Sequence, residues 1–96
     1  MSNIKRTIGM FYKSIFNNDI SNWNVSKLTD MSYMFRKSEF NRDISGWDVS
    51  NVKNMSQLFR ESKFNQDISN WKISKDCMTN HMFVDCSIKE KYKPKS

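Results

Sequence analysis

A 24-residue period constrains this chain more than any other feature. Shifted by 24 positions, the sequence nearly superimposes on itself: Phe16 aligns with Phe40 and Phe64, Trp23 with Trp47 and Trp71, and Phe11 with Phe35, Phe59 and Phe83. Residues 16–39 and 40–63 agree at 13 of 24 positions, so one structural solution must serve both. A unit this short cannot bury its own apolar face; it becomes stable by stacking on its neighbours. The pattern predicts one domain over residues 1–87, made of a half repeat at 4–15 and repeats at 16–39, 40–63 and 64–87. Residues 88–96 fall outside it and read as a basic tail.

Each copy has two halves of different period. The first carries Ile20-x-x-Trp23-x-Val25, Ile44-x-x-Trp47-x-Val49 and Ile68-x-x-Trp71-x-Ile73. Its closing alternation predicts a short strand, one per repeat, pairing in parallel with the next. Ser26, Ser50 and Ser74 follow, where a hydroxyl can serve a turn or a helix start. The second half carries Leu28, Met31, Met34 and Phe35, then Val52, Met55, Leu58 and Phe59. Apolar residues at i, i+3, i+6 and i+7 predict one face of a short helix, with Asp30, Ser32, Tyr33, Asn54, Ser56 and Gln57 toward water. The expected fold is therefore an α/β repeat: a short leucine-rich-repeat-like right-handed solenoid with one short parallel strand and one short helix per repeat. In the last copy Asp76 and Thr79 stand at apolar positions, so Cys77 and Met78 are expected to shift inward.

The motif F-N-x-D-I-S-x-W-x-V-S followed by M-x-x-M/L-F resembles the BspA-like leucine-rich-repeat group, in the form found in mycoplasma surface lipoproteins. The resemblance implies a solenoid with a sheet on one face and helices on the other, and a binding role without catalysis. It maps the family's variable strand positions onto Asn22, Asn24, Gly46, Asp48, Asn70 and Lys72.

The chemistry points the same way. The one histidine, His81, lies four and five residues from Cys77 and Cys86, a set one ligand short of a structural zinc cage. Asn17, Asn41 and Asn65 form one ladder and Asp19, Asp43 and Asp67 another. Such oxygens suit calcium, but one carboxylate per repeat makes no complete ligand set, and Asx side chains also tie turn backbone. No phosphate loop, nucleophile elbow or dinucleotide-binding glycine set occurs. The expectation is a protein that is not an enzyme and needs no cofactor or metal.

Sixteen Lys and Arg against ten Asp and Glu give a formal charge of +6, which favours acidic partners. Two thiols without a second pair suggest a reducing cytosol, as does the lack of a continuous apolar stretch at the start. Two faces are candidates for partner binding. One carries Asn22, Asn24, Asp48, Asn70 and Lys72 on the expected sheet; the other is a basic stripe of Lys13, Arg36, Lys37, Arg42, Arg60 and Lys63. These expectations combine into a small cytoplasmic module that binds a protein or ribonucleoprotein. An inhibitor of a nucleic-acid-handling host protein, of the anti-CRISPR kind, is one form. A surface or host-interaction repeat protein and a direct nucleic-acid binder are the alternatives. The uncovered first strand also offers an edge for homo-oligomerisation.

Overall fold

The computed structural model describes residues 4–94. The chain winds into coils that stack with the 24-residue period, residues 4–15, 16–39, 40–63 and 64–87, and residues 88–94 begin a further turn. The expected α/β solenoid of strands and helices does not form. Among the described residues the one helical element is a 3-10 turn at Glu90–Tyr92. Extended pairing is limited to three isolated parallel bridges, Arg6 with Asp30, Asp30 with Asn54, and Asn54 with Met78. No strand forms at 23–25, 47–49 or 71–73, and no helix at 28–35 or 52–59.

The backbone hydrogen bonds explain the difference. In a helix each N–H would donate four residues back. Here alternate amides do two different things. Met34, Arg36 and Ser38 donate three residues back, to the carbonyls of Met31, Tyr33 and Phe35. The amides between them, Met31, Tyr33, Phe35 and Lys37, donate to the next coil, reaching Asn54, Ser56, Leu58 and Arg60 at 2.9–3.1 Å. The pattern recurs one coil earlier from Thr7 to Asp30 and one coil later from Phe59 to Met82. Half of the local amides are thus satisfied only if a neighbouring coil is present, which makes the stack cooperative.

Helical geometry is also broken at the third residue of successive turns. Tyr33, Lys37, Gln57, Glu61, His81, Asp85 and Lys13 all have φ between 55° and 59°, and Gly9 has 61°. Positive φ at the third position is what a type II turn requires. For a side-chain-bearing residue it costs about 1–3 kcal/mol, so the inter-coil bonds and the core must offset it.

The core follows the columns that the repeat creates. Leu28, Met31, Met34, Phe35, Val52, Met55, Leu58 and Phe59 are fully buried, as their spacing predicts. Ser32, expected toward water, is buried too, because its position turns inward where a helix would turn outward. Phenylalanines form two parallel columns. Phe11, Phe35, Phe59 and Phe83 stack at centroid distances of 5.6, 5.5 and 5.8 Å, and Phe16, Phe40 and Phe64 at 6.3 and 6.2 Å. The columns touch each other, for example Phe59 with Phe64 at 4.2 Å. Stacked rings of this kind contribute about 0.5–1.5 kcal/mol per pair beyond area burial.

The first half of each coil relies on side chains in place of a strand ladder. Trp47 Nε1 donates to the Ile20 carbonyl at 3.2 Å, and Trp71 Nε1 to the Ile44 carbonyl at 3.1 Å. Each indole bonds the coil before its own while its ring joins the core.

The last coil absorbs its defects by a one-residue slip. Leu28 and Val52 donate to Val25 and Val49, but the matching bond runs from Cys77 to Ser74, one position later. Cys77 thereby packs against the core where Asp76 cannot. Met78, also expected inward, stays 51% exposed. Beyond it, Ile88 is buried in the slot of Phe64, and the Tyr92 carbonyl accepts from the Ile68 amide. Lys95 and Ser96 of the basic tail lie outside the described residues.

His81→Gly separates the two backbone readings. At an exposed helical position glycine costs about 1 kcal/mol. At φ 56° it relieves strain, so the urea midpoint of the variant is expected to equal or exceed that of the parent. A drop of about 1 kcal/mol would favour the helix.

Candidate functional site

The Asn and Asp ladders, weighed above as metal ligands, are occupied by the fold. Asn17 Oδ1 accepts from the Asn41 amide at 2.7 Å, Asn41 Oδ1 from Asn65 at 2.8 Å, and Asn65 Oδ1 from Lys89 at 2.9 Å. The Asn column is a coil-to-coil clamp. The Asp column works within each coil: Asp19, Asp43 and Asp67 accept from the amides of Ser21, Ser45 and Ser69, two residues on, at 2.9–3.0 Å. Among the described residues no group of three His, Cys, Asp or Glu side chains is placed to hold a metal. The Cys86 thiol approaches Ser62 Oγ at 3.5 Å and the Phe64 carbonyl at 3.4 Å, as the small-residue slot of Ser14, Ser38 and Ser62 suggests. Burial raises the Cys77 thiol above its ordinary range, which makes it a poor nucleophile.

Of the positions expected on a sheet face, Asn22, Gly46 and Asn70 stand on turns and Asn24, Asp48 and Lys72 on irregular backbone. Asn22, Asn24, Asp48, Asn70 and Lys72 are all exposed. Three of them also tie backbone. Asn24 Oδ1 accepts from the Ser26 amide and hydroxyl, Asp48 Oδ1 from the Ser50 amide and hydroxyl at 3.1 and 2.7 Å, and Asn70 Nδ2 donates to the Ser45 carbonyl at 3.0 Å. Gly46, Asp48, Asn70 and Lys72 line one open groove with the edges of Trp47 and Trp71. That groove mixes apolar and polar lining and carries one charge of each sign, Asp48 and Lys72.

The basic stripe is partly assembled. Arg36 and Arg60 share a column, with Tyr12 before them and Val84 after. The Arg36 guanidinium lies 5.8 Å from the Tyr12 ring and 6.0 Å from the Tyr33 ring, and its Nη2 is 3.9 Å from Glu61. Arg60 donates to Gln57 Oε1 at 3.2 Å. Lys37 sits 3.9 Å from the same Glu61 carboxylate, and the Lys13 ammonium lies 5.3 Å from the Tyr12 ring. The Nε atoms of both arginines are buried and have no protein partner, so their planes are held by packing. Lys63 is exposed in the slot that Glu39 holds one coil earlier. Arg42 does not join the stripe: its Nε donates to the Asn17 carbonyl at 2.8 Å, beside Asp19 and Asp43.

Tyr12 and Tyr33 belong to this side of the molecule, and the sequence reading left them out of the binding set. Their columns were visible at 24-residue spacing. Tyr12 stands one coil before Arg36 in the same column, and Tyr33 stands three residues before it, a spacing that makes neighbours on a helix as well as in these turns.

The turn carboxylates give the fold a dependence on acid. The amides and hydroxyls of Ser21 and Ser50 hold Asp19 and Asp48 below the usual value of 3.8, with the Ser21 amide the larger cause at Asp19 and the Ser50 hydroxyl at Asp48. A depressed folded pKa stabilises above the unfolded value, and that contribution is lost as pH falls through the folded one. Asp48→Asn reproduces the side chain that Asn24 uses in the preceding coil. The variant is therefore expected to match the parent at neutral pH and to lose less stability between about pH 5 and 2 in pH-resolved unfolding. An identical acid profile would contradict the role of Asp48.

No curated protein and no solved structure matches this chain. A family model described as "Mycoplasma protein of unknown function, DUF285" matches residues 1–94. The match carries the mycoplasma part of the resemblance drawn from the repeat motif. The leucine-rich-repeat part finds no support in a backbone that, among the described residues, forms isolated bridges and one 3-10 turn. By a match over nearly its whole length, the chain belongs to the mycoplasma DUF285 family.

Proposed function

We propose that this chain is a non-enzymatic binding module that docks an acidic protein or ribonucleoprotein surface through the side formed by Lys13, Arg36, Lys37 and Arg60. The observation that carries the reading is the grouping of these four cations with Tyr12 and Tyr33, where the Glu61 carboxylate pairs with Arg36 and Lys37. Guanidinium groups held flat by packing lose little freedom on binding, and tyrosines add amphipathic contact area at low entropic cost. The formal charge of +6 would speed encounter with an acidic partner. Occlusion of a nucleic-acid-handling protein, as an anti-CRISPR does, is the specific form of this reading. The likeness of the repeat motif to BspA-like surface proteins supports a second form, in which the same side meets a host or surface partner.

A third form, direct binding of single-stranded nucleic acid, is favoured by the tyrosines beside the cations. Such a surface offers stacking platforms along a phosphate path.

Lys13→Glu with Lys37→Glu tests the proposal, since both side chains are exposed. Affinity capture from a mycoplasma lysate is expected to recover a partner with the parent chain and to lose it by about tenfold or more with the double variant. Recovery that survives nuclease treatment marks a protein contact; recovery lost with it, and falling steeply with salt, marks nucleic acid. Equal recovery by parent and variant would overturn the basic side as the docking surface.

A further inference from the structure

The ladder of inter-coil hydrogen bonds stops at the two outer faces of the described stack, and it stops with opposite polarity. On one face the amides of Thr79, His81, Phe83 and Asp85 occupy the positions from which Met31, Tyr33, Phe35 and Lys37 donate to the next coil. On the other, the carbonyls of Arg6, Ile8, Met10 and Tyr12 occupy the positions that accept in later coils, those of Asp30, Ser32, Met34 and Arg36. Neither set has a backbone partner among the described residues. Four donors at one face therefore match four acceptors at the other in spacing and register.

The side chains show the same complementarity. Large apolar groups open to solvent concentrate in the outer coils: Ile8 (54%), Met10 (47%) and Ile15 (87%) at one end, Met78 (51%) and Val84 (36%) at the other. Met10 shares its column with Met34 and Leu58, fully buried between coils, and with Met82, which is 5% exposed beside Pro94. Charge is complementary as well. Lys5, Arg6 and Lys13 lie in the first coil and Asp76 and Asp85 in the last. The column Lys13, Lys37, Glu61, Asp85 already contains one ion pair between adjacent coils, Lys37 with Glu61 at 3.9 Å.

We propose that copies of this chain stack head to tail, with residues 4–15 of one copy forming the coil that follows residues 76–87 of another. Thr79, His81, Phe83 and Asp85 then donate to the Arg6, Ile8, Met10 and Tyr12 carbonyls of the next copy. Met10 covers Met82, Phe11 extends the column that ends at Phe83, and Lys13 meets Asp85. The chain's own end stands in the way, for Pro94 lines one hollow with Thr79, Met82 and Phe83. The Lys93 ammonium, paired with Glu90 at 3.0 Å, lies 5.3 Å from the Phe83 ring and must withdraw for Phe11 to stack there. Lys93 thus tunes the association and keeps it reversible.

The contact is heterologous, so the test uses two variants that differ in which face they label. In a Cys77→Ser, Cys86→Ser background, Lys13→Cys and Asp85→Cys are prepared separately and mixed under oxidising conditions. Adjacent slots across a coil interface fall within disulfide reach. The expected result is a disulfide between the two variants, with neither alone linking to itself, and its loss when Met10→Glu is added to the Lys13→Cys chain. Sedimentation of the unmodified 96-residue chain is expected to show mass rising with concentration. Met10→Glu should weaken that association by about tenfold or more, and Lys93→Ala should strengthen it. A constant monomer mass, or cross-linking no greater between the variants than within each, would overturn the proposal. Both measurements use the chain by itself with no acidic partner present, so this failure would leave the docking reading standing.

Discussion

Everything in this structure depends on the way consecutive amides divide their hydrogen bonds. One closes a three-residue turn and the next reaches into the neighbouring coil, 23 residues on. The division uses up the backbone without a helix or a sheet strand. It also fixes the repeat length, because a coil of any other length would present carbonyls out of step with the amides below. Within a coil few contacts could be made alone; each depends on its neighbours for half of its ladder. Such a chain is expected to fold as one cooperative unit, with its outer coils the weakest.

Side chains extend the same logic. Because equivalent residues lie directly over one another, a residue that suits one coil suits the next. The result is columns of Phe, of Asn and of small Ser or Cys groups. The Asn column shows why identity matters: Asn41 offers an oxygen to the coil after it while its own amide is served by the coil before. Where a column is broken, the chain adjusts locally. Asp76 has no place in the slot of Leu28 and Val52, and the slip that brings Cys77 inward ends within Met78, whose amide bonds one position late and whose carbonyl is back in register.

The sequence disclosed the period, the columns and nearly all of the core, but not the backbone. The reason is specific. Leu28, Met31, Met34 and Phe35 face inward both on a helix and on a run of type II turns, so their spacing does not distinguish the two. The decisive feature is positive φ at Tyr33, Lys37, Gln57 and Glu61, and none of these is a residue that announces it; only Gly9 carries the usual signature. Ser32 alone, buried where a helix would expose it, departs from the predicted faces of its segment. The candidate site shows the same division. That Arg36 and Arg60 share a column was legible from the repeat. That Arg42 turns away to Asn17 needed the turns themselves.

The repeat consumes most of what looks chemically suggestive: the carboxylates, the amides and the cysteines all serve the fold. What it leaves over is a basic, tyrosine-bearing side and two matching outer faces, and the functional readings rest on those. They require the alternating ladder to exist as described. Scalar couplings across hydrogen bonds, measured by NMR on the isotope-labelled chain, test it most directly. The account predicts amide-to-carbonyl couplings from Phe35 to Leu58 and from Lys37 to Arg60. Couplings from Phe35 to Met31 and from Lys37 to Tyr33, four residues back as in a helix, would contradict it.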